Sequence, residues 1–264
     1  MELSVVIITL NEEHRIGRTL EAVAPIADEI VIVDSGSTDR TRAVASAFPN
    51  VVWLERRFDC YGKQKNFGND YAHGRYILSL DADEVLTPAL RSEIAAEKGQ
   101  WRADVYAMLR LPIYIGKEIR CTDWYPDVKW RLFRRDIARW SDDLVHERLL
   151  VSQDARRHVF SGELVHYSYA SVAEHLQRNI RYSALAAETR FTNGHRPAMR
   201  NALLRAGLRF FKSLVLKRGY RAGWRGWAIA TLGAAVYLQR ELLLAERWEQ
   251  HHSKSERLLS STEP

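Results

Sequence analysis

Cysteine is scarce in this chain: Cys60 and Cys121 are the only two in 264 residues. They give neither a disulfide framework nor the spacing of a zinc site, so a reducing cytoplasm is the expected compartment. The N-terminus has no basic stretch ahead of an apolar run. Met1-Glu2-Leu3-Ser4 leads straight into a strand pattern, and no signal peptide is expected. Internal repeats and low-complexity linkers are missing as well. Acid is missing locally: from His195 to Arg240 there are ten Lys or Arg and no Asp or Glu. Leu, Phe, Trp and Tyr interleave with those charges, a combination suited to an anionic membrane surface or to nucleic acid. Long apolar runs are lacking too. The longest uncharged stretch in this tail, Gly226 to Gln239, has 14 residues, short of the roughly 20 that span a bilayer. The region Ala198–Trp248 is therefore expected to lie on a membrane surface with Lys and Arg snorkelling to water. The alternative is packing on the rest of the chain or on a second copy, as a homo-oligomer.

What is present is an alternation of strand and helix signals. With 46% hydrophobic and 27% charged residues, the chain has ample material for a core. Leu3 to Thr9 is a continuous β-branched run, the pattern of a strand buried on both faces. A helix is expected over Asn11–Ala24, a strand over Glu29–Val33, a helix over Thr41–Phe48 and a strand over Val51–Leu54. Lys63–Ala72 then reads as a helix, Tyr76–Leu80 as a fourth strand, and Thr87-Pro88 as the start of another helix. This βαβ alternation argues for a parallel sheet with helices on both faces. After Gly99, Val105–Pro112 and Lys129–Phe133 read as strands. From Ser171 to about residue 249 the chain reads as helical, broken at Gly194-His195-Arg196-Pro197 and again between Gly219 and Gly226.

Polar clusters fall at the carboxyl ends of these strands, where an open α/β sheet binds its ligands. They are Thr9-Leu10-Asn11-Glu12-Glu13, Asp34-Ser35-Gly36-Ser37-Thr38-Asp39, Lys63-Gln64-Lys65-Asn66 and Asp81-Ala82-Asp83-Glu84. Two carboxylates two residues apart after an apolar strand can hold one divalent cation. Hard oxygen ligands suit Mg²⁺ or Mn²⁺, which keep positions open for substrate phosphates. Each cluster also has a plain structural reading. Asn11 and Asp39 can cap helices, Gly36 can serve a turn, and Lys63 and Lys65 can form a solvated helix face. Arg131 and Arg135 would share one face of a strand and Arg134 the other, meeting phosphate or guarding a sheet edge. Trp124, Tyr125, Trp130 and Trp140 are either a platform for a sugar ring or core.

The order Ser4-Val5-Val6-Ile7-Ile8-Thr9-Leu10-Asn11-Glu12-Glu13, then Ile32-Val33-Asp34-Ser35-Gly36-Ser37-Thr38-Asp39, then Asp81-Ala82-Asp83 resembles glycosyltransferase family 2. The segments Trp124-Tyr125-Pro126-Asp127, Arg131 to Arg135, Val145-His146-Glu147 and Leu164 to Tyr169 resemble its lipopolysaccharide-core β-glucosyltransferase-like branch. The resemblance implies a GT-A fold, a Rossmann-like α/β architecture with a mostly parallel central sheet flanked by helices. To this the chain adds a basic, amphipathic helical extension. Residues 1–170 would form the catalytic domain, with a nucleotide-binding half at 1–100 and an acceptor half at 101–170, and residues 171–264 the extension. The implied activity is inverting, metal-dependent transfer from a nucleotide-diphosphate sugar, UDP-glucose by family weight. The acceptor would be a lipid-linked glycan such as lipopolysaccharide core, at the inner face of the cytoplasmic membrane.

The same resemblance implies roles for single residues. Thr9, Asn11 and Glu12 would line the nucleotide pocket, and Asp34 would accept a hydrogen bond from the base. Lys65 stands where the family has an Arg near the nucleotide, which keeps the charge and loses the bidentate fork. Asp83 would bind Mg²⁺ or Mn²⁺ directly, Asp81 would reach ribose or the metal through water, and His166 would be a third ligand. Trp124, Asp127, Arg131 and His146 would contact acceptor or phosphate. An inverting transfer also needs a carboxylate to take the acceptor proton. Asp127, Asp142 or Asp143, and Glu147 compete for that role. Glu147 is favoured, against a plain pairing with Arg131 or Arg134. Glu84 reads as a bystander bracing its turn.

Two other functions compete. A sugar nucleotidyltransferase would carry a Gly-rich, basic loop directly after the first strand, where this chain has Asn11-Glu12-Glu13. A nucleic-acid-binding protein would use the basic tail and leave Asp34, Asp81 and Asp83 unexplained, so no nucleic acid is expected as a partner.

Overall fold

The computed structural model describes residues 1–143 and 147–260, with side chains described as far as His252. The chain forms two compact units. One comprises residues 1–113 and 126–168, the other residues 114–125 and 169 onward. The helical unit takes in the segment 114–125 as well as the residues from 169 onward.

In the first unit, β1 (Leu3–Thr9) is buried at every position. Its alternate side chains fill two cores, Leu3, Val5 and Ile7 on one face of the sheet and Val6 and Ile8 on the other. Helix α1 (Ile16–Val23) and strand β2 (Glu29–Asp34) follow, then α2 (Thr41–Ala45), β3 (Val51–Glu55) and α3 (Tyr61–Tyr71). Next come β4 (Tyr76–Asp81), β5 (Glu84–Leu86), α4 (Pro88–Glu97) and β6 (Val105–Tyr114). The short β7 (Lys117–Glu118) falls in the segment 114–125, and the first unit is completed by β8 (Asp127–Arg134), β9 (Ala138–Trp140), β10 (Leu149–Val151) and β11 (Arg157–Tyr169). Residues of α1 and α4 join the first core, and Phe67 of α3 packs on the second. Helices therefore cover both faces, as the βαβ alternation implies.

The main sheet runs β3-β2-β1-β4-β8-β6-β11-β5. It is parallel from β3 to β4. It turns antiparallel where β8 joins β4 and β6, and where β11 joins β5. Several boundaries move relative to the sequence reading. Asn11 has φ 55°, a left-handed backbone that a helix cannot include, so α1 begins only at Ile16. The three-residue strands β5, β9 and β10 are too short to show a period. β11 is 13 residues long, and in its central part Phe160, Gly162 and Leu164 alternate as buried positions with less buried ones. Gly162 lies where a Cβ would come within 2.5 Å of the Leu90 backbone, so only glycine lets β11 pass α4 this closely.

The second unit contains α5 (Val172–Thr192), α6 (Met199–Phe211) and α7 (Trp224–Ser260), with a π-helical turn at Lys212–Leu216 and a 3₁₀ turn at Gly219–Ala222. Both expected helix breaks are present. Ser171 caps α5 through its side chain, which accepts from the Glu174 N–H.

An aromatic cluster sits at the start of α5. His175 is 2% exposed, stacks on Tyr169 at 4.2 Å between ring centroids, and meets the Tyr114 hydroxyl through Nδ1 at 3.1 Å. Burial, helped by the nearby Arg178 charge, holds its pKa down to about 4. The unfolded chain takes up this proton below about 6.5 and the folded one only below about 4. The unfolded state therefore binds more protons within that window, and stability falls as pH falls through it. On the order of 2 kcal/mol should be lost between pH 7 and pH 4. Thermal unfolding of wild type and His175→Phe across that range checks this. The variant should show a flatter dependence, and an unchanged slope would refute the role of His175.

Candidate active site

The parallel register brings the strand ends together. Thr9 lies beside Asp34, and Ile8 beside Asp81. The loops after β1 and β2 are then stitched to each other. The Asn11 N–H donates to Ser37 Oγ at 2.8 Å, and the Thr38 N–H donates to Asn11 Oδ1 at 2.8 Å. The Glu12 N–H donates to Thr41 Oγ1 at 2.8 Å, and the Glu13 N–H to Asp39 Oδ2 at 3.1 Å. Asp39 also accepts from the Thr41 N–H, so it closes the turn before α2. Asp34 is 3% exposed, and its Oδ2 accepts from the Gly36 and Ser37 N–H groups at 2.9 and 2.8 Å. Its Oδ1 accepts from the Ser37 hydroxyl. Thr9 is buried, and its hydroxyl has no partner among the described residues. These loops form a polar rim over the strand ends.

Behind the rim lies an ion-pair network centred on α3 and the turn between β4 and β5. α3 points polar side chains inward: Gln64, Lys65, Asn66 and Asn69 are all buried. Lys65 is therefore no solvated face. It is 1% exposed, with Nζ 3.1 Å from Asp81 Oδ1 and 2.7 Å from Glu147 Oε1, over the Trp140 ring. One ammonium thus joins the metal-motif carboxylate to Glu147, 82 residues away in the chain. Glu147 pairs with Lys65, not with Arg131 or Arg134 as the plain reading had it. A guanidinium fork suits a planar bidentate partner, whereas a compact ammonium suits two separate carboxylates.

Arg131 is also buried, donating from Nη2 to Asp81 at 2.9 Å and to Glu84 at 2.7 Å. The register of β8 against β6 slips by one residue at this point, pairing Tyr106 with Leu132 but Ala107 with Trp130. Arg131 is the extra residue of that bulge, which re-aims its side chain toward the turn. Two expectations are corrected here. β8 is an inner strand, so no edge is being guarded, and Arg131 is tied up in internal ion pairs and does not stand open to phosphate. Glu84 is more than a bystander. It is fully buried, is the closest anion to Arg131, and accepts from the Asp81 N–H at 3.2 Å. Burial alone would raise the Asp81 carboxyl, but Lys65 and Arg131 outweigh it and hold it well below the usual carboxylate range.

Asp83 and His166 meet on the other side of the turn. β11 pairs with β5 so that His166 faces Glu84 in register. This brings His166 Nε2 to 3.4 Å from Asp83 Oδ2, while the Tyr167 N–H donates to the Asp83 carbonyl at 3.0 Å. Within this network four carboxylates (Asp81, Asp83, Glu84 and Glu147) face two buried cations, Lys65 and Arg131. No group of three or more His, Cys, Asp and Glu forms a ready cage among the described residues. A single carboxylate–imidazole pair still fits an ion that draws its remaining ligands from phosphate and water. Asp83 and His166 are the residues that would hold it.

Arg110, whose Nη1 lies 3.7 Å from Glu84, links Asp127 to the edge of this network. Asp127 pairs with Arg110 at 2.6 Å and with Lys129 at 3.1 Å, which occupies its carboxylate. Asp143 accepts from the Ser141 hydroxyl at 2.8 Å. Trp124 belongs to the second unit, half-buried against Tyr114 and Tyr169. Trp140 is buried core. Both aromatic rings thus follow the packing alternative and not the open platform. His146 lies outside the described residues. Sequence reasoning missed Glu84 and Arg110. A glutamate followed directly by Val85-Leu86 was the available signal, because an acid inside an apolar strand needs a buried partner.

Residues 4–140 match the family described as glycosyl transferase family 2. The chain is 30% identical, over a 267-residue alignment, to the lipopolysaccharide core biosynthesis glycosyltransferase LpsC of Rhizobium meliloti, covering 97% of this chain and 95% of that protein. It is 27% identical over 256 residues to an uncharacterized glycosyltransferase of Rickettsia bellii, covering 93% and 86%. Among solved structures, it is similar to Staphylococcus aureus TarS 1–349 at 17% identity and a TM-score of 0.47, covering 95% of this chain and 92% of that one.

Proposed function

The chain belongs to glycosyl transferase family 2, with an α/β sheet of the GT-A kind, and on that premise we propose an inverting, metal-dependent transfer from a nucleotide-diphosphate sugar to a lipid-linked glycan. The observation that carries this reading is the single Lys65 ammonium bridging Asp81 and Glu147 beside the Asp83–His166 pair. It joins a carboxylate fit to act as base to a donor-side acidic turn.

In this reading the nucleotide lies along the rim of Thr9, Asn11 and Glu12, with the base at Asp34. The family weighting favours uracil, and glucose as the sugar. Asp83 and His166 would hold Mg²⁺ or Mn²⁺, with Asp81 serving the ion or the ribose. The ion, when bound, supplies positive charge for the departing diphosphate. The Glu147 carboxylate takes the proton of the acceptor hydroxyl as that oxygen attacks the anomeric carbon. The carbon–oxygen bond to the diphosphate breaks on the opposite face, and the electron pair leaves with the phosphate. Lys65 holds the Glu147 carboxylate in place at 2.7 Å. The similarity to LpsC, a lipopolysaccharide core biosynthesis glycosyltransferase, supports a lipopolysaccharide-type acceptor, reached at the cytoplasmic side of the membrane where nucleotide sugars are available.

A panel of nucleotide sugars tests this reading, with the protein, Mn²⁺ or Mg²⁺ and a lipid-linked glycan acceptor. Ion-dependent release of UDP from UDP-glucose is expected, and proton NMR of the product should show an inverted anomeric centre. A retained anomeric centre, or release independent of the ion, would overturn the mechanism.

A further inference from the structure

Helix α6 is built inside out. Its buried residues are Ala202 and Ala206, while Leu203, Leu204 and Leu208 are 59%, 63% and 60% exposed. A helix docked in a water-soluble unit puts its large apolar side chains inward. Leu204, Leu208 and Phe211 follow at spacings of four and three residues, which aligns them in one outward stripe. The π and 3₁₀ turns that follow leave Leu216, Tyr220 and Trp224 more than half exposed as well. Exposed apolar surface of this extent marks an interaction face. Arg200, Arg205, Lys212, Lys217, Arg218 and Arg221 are exposed in the same stretch. Among the described residues none of these six takes part in an ion pair. The other tail cations are engaged: Arg196 over the Trp248 ring, Arg209 with Asp123, Arg225 with the Ile115 carbonyl, and Arg240 with Glu241.

Length and composition alone would let Trp224–His252 cross a bilayer. Its surroundings argue against crossing. α5 clasps α7 along its length through polar groups: Asn179 donates to the Leu232 carbonyl, Arg190 pairs with the 2%-exposed Glu241, and Glu188 pairs with Arg247 at 2.9 Å. Charges of this number are costly within hydrocarbon. α7 is the spine of the helical unit, and α6 with the turns is its outer face.

The occupant of that face must accept both cations and large apolar side chains. A second copy would, across a two-fold axis, set these six exposed, unpaired cations against their own symmetry mates. A nucleic acid would satisfy the charge and leave the leucine stripe in water. An anionic bilayer takes both, with the aromatic rings at headgroup depth and the basic side chains on phosphate. We propose that the outer stripe of α6 and the turns after it dock in the plane of an anionic lipid surface without spanning it.

Vesicle flotation of the full chain tests this, using phosphatidylcholine alone or with about one-third phosphatidylglycerol. At low salt the bound fraction should be at least about tenfold higher on the anionic vesicles, and raising salt should reverse it as the Debye length shortens. Leu204→Glu with Leu208→Glu should reduce binding by about tenfold or more with unchanged circular dichroism, since both side chains face water in the folded unit. Arg205→Gln with Lys212→Gln is the second variant and should weaken binding on anionic vesicles only. No vesicle binding at low salt overturns the proposal. So does membrane association that resists alkaline carbonate, which would indicate a spanning helix. A dimer, or a nucleic-acid complex, lost in the leucine variant while vesicle binding stays unchanged would assign the face to that partner instead.

Discussion

Glu147→Gln is expected to lower kcat by about 10²–10⁴-fold, the usual worth of a positioned general base. The amide keeps the shape of the side chain and removes the basic carboxylate. Donor affinity should change little, because the substituted group faces the acceptor in this reading. The side effect to separate is structural, since Lys65 is buried and loses one of its two anions. Asp81 still lies 3.1 Å from Lys65 Nζ, so the ammonium is not left bare, which is the costly outcome for a buried charge. A thermal midpoint close to wild type, together with a collapsed kcat, assigns Glu147 to chemistry. Near-normal turnover would refute the assignment. A fall in kcat, donor affinity and thermal midpoint together would reduce Glu147 to a brace for Lys65.

The second large effect is expected from Asp83→Asn. Loss of one of two protein ligands should raise the Mn²⁺ concentration needed for half-maximal activity by about 10–100-fold. Asp83 is a cleaner test than Asp81. The Asp81 carboxylate balances both Lys65 and Arg131, so its removal would leave two buried cations short of charge and report on folding. The Asp83 side chain pairs with His166, and its backbone carbonyl keeps the Tyr167 N–H bond in the variant. Recovery of activity at high Mn²⁺ marks a binding defect. An unchanged ion requirement would remove Asp83 and His166 from the metal site.

These two experiments address parts of the site that the sequence showed unequally. β1, β2 and β4 are buried on both faces, so their sequences are apolar runs that end abruptly in Thr9, Asp34 and Asp81. Such ends are visible without a structure. β11 carries polar residues on its exposed face and a glycine where it passes Leu90, and its period of two is hidden by its length and mixed composition. The family resemblance makes Lys65 a nucleotide contact, and its plain reading is a solvated helix face, because lysine is seldom fully buried. Its burial depends on Glu147, 82 residues away, and Arg131 depends on Asp81 and Glu84 at separations of 50 and 47. No local pattern carries contacts of that range. The bulge that turns Arg131 inward is equally silent, because it reflects the register between β6 and β8 and not the composition of either. In the tail, charge and aromatic interleaving were plain from the sequence. Which side of α6 faces out needed the burial of Ala202 and Ala206.

Calorimetric titration of the wild-type protein with UDP-glucose, with and without Mn²⁺, tests the donor site most directly because no acceptor is required. Binding that depends on the ion, is weakened by Asp83→Asn and survives Glu147→Gln is the expected result. UDP-glucose binding that ignores both the ion and Asp83, or that disappears with Glu147→Gln while the fold is intact, would contradict it.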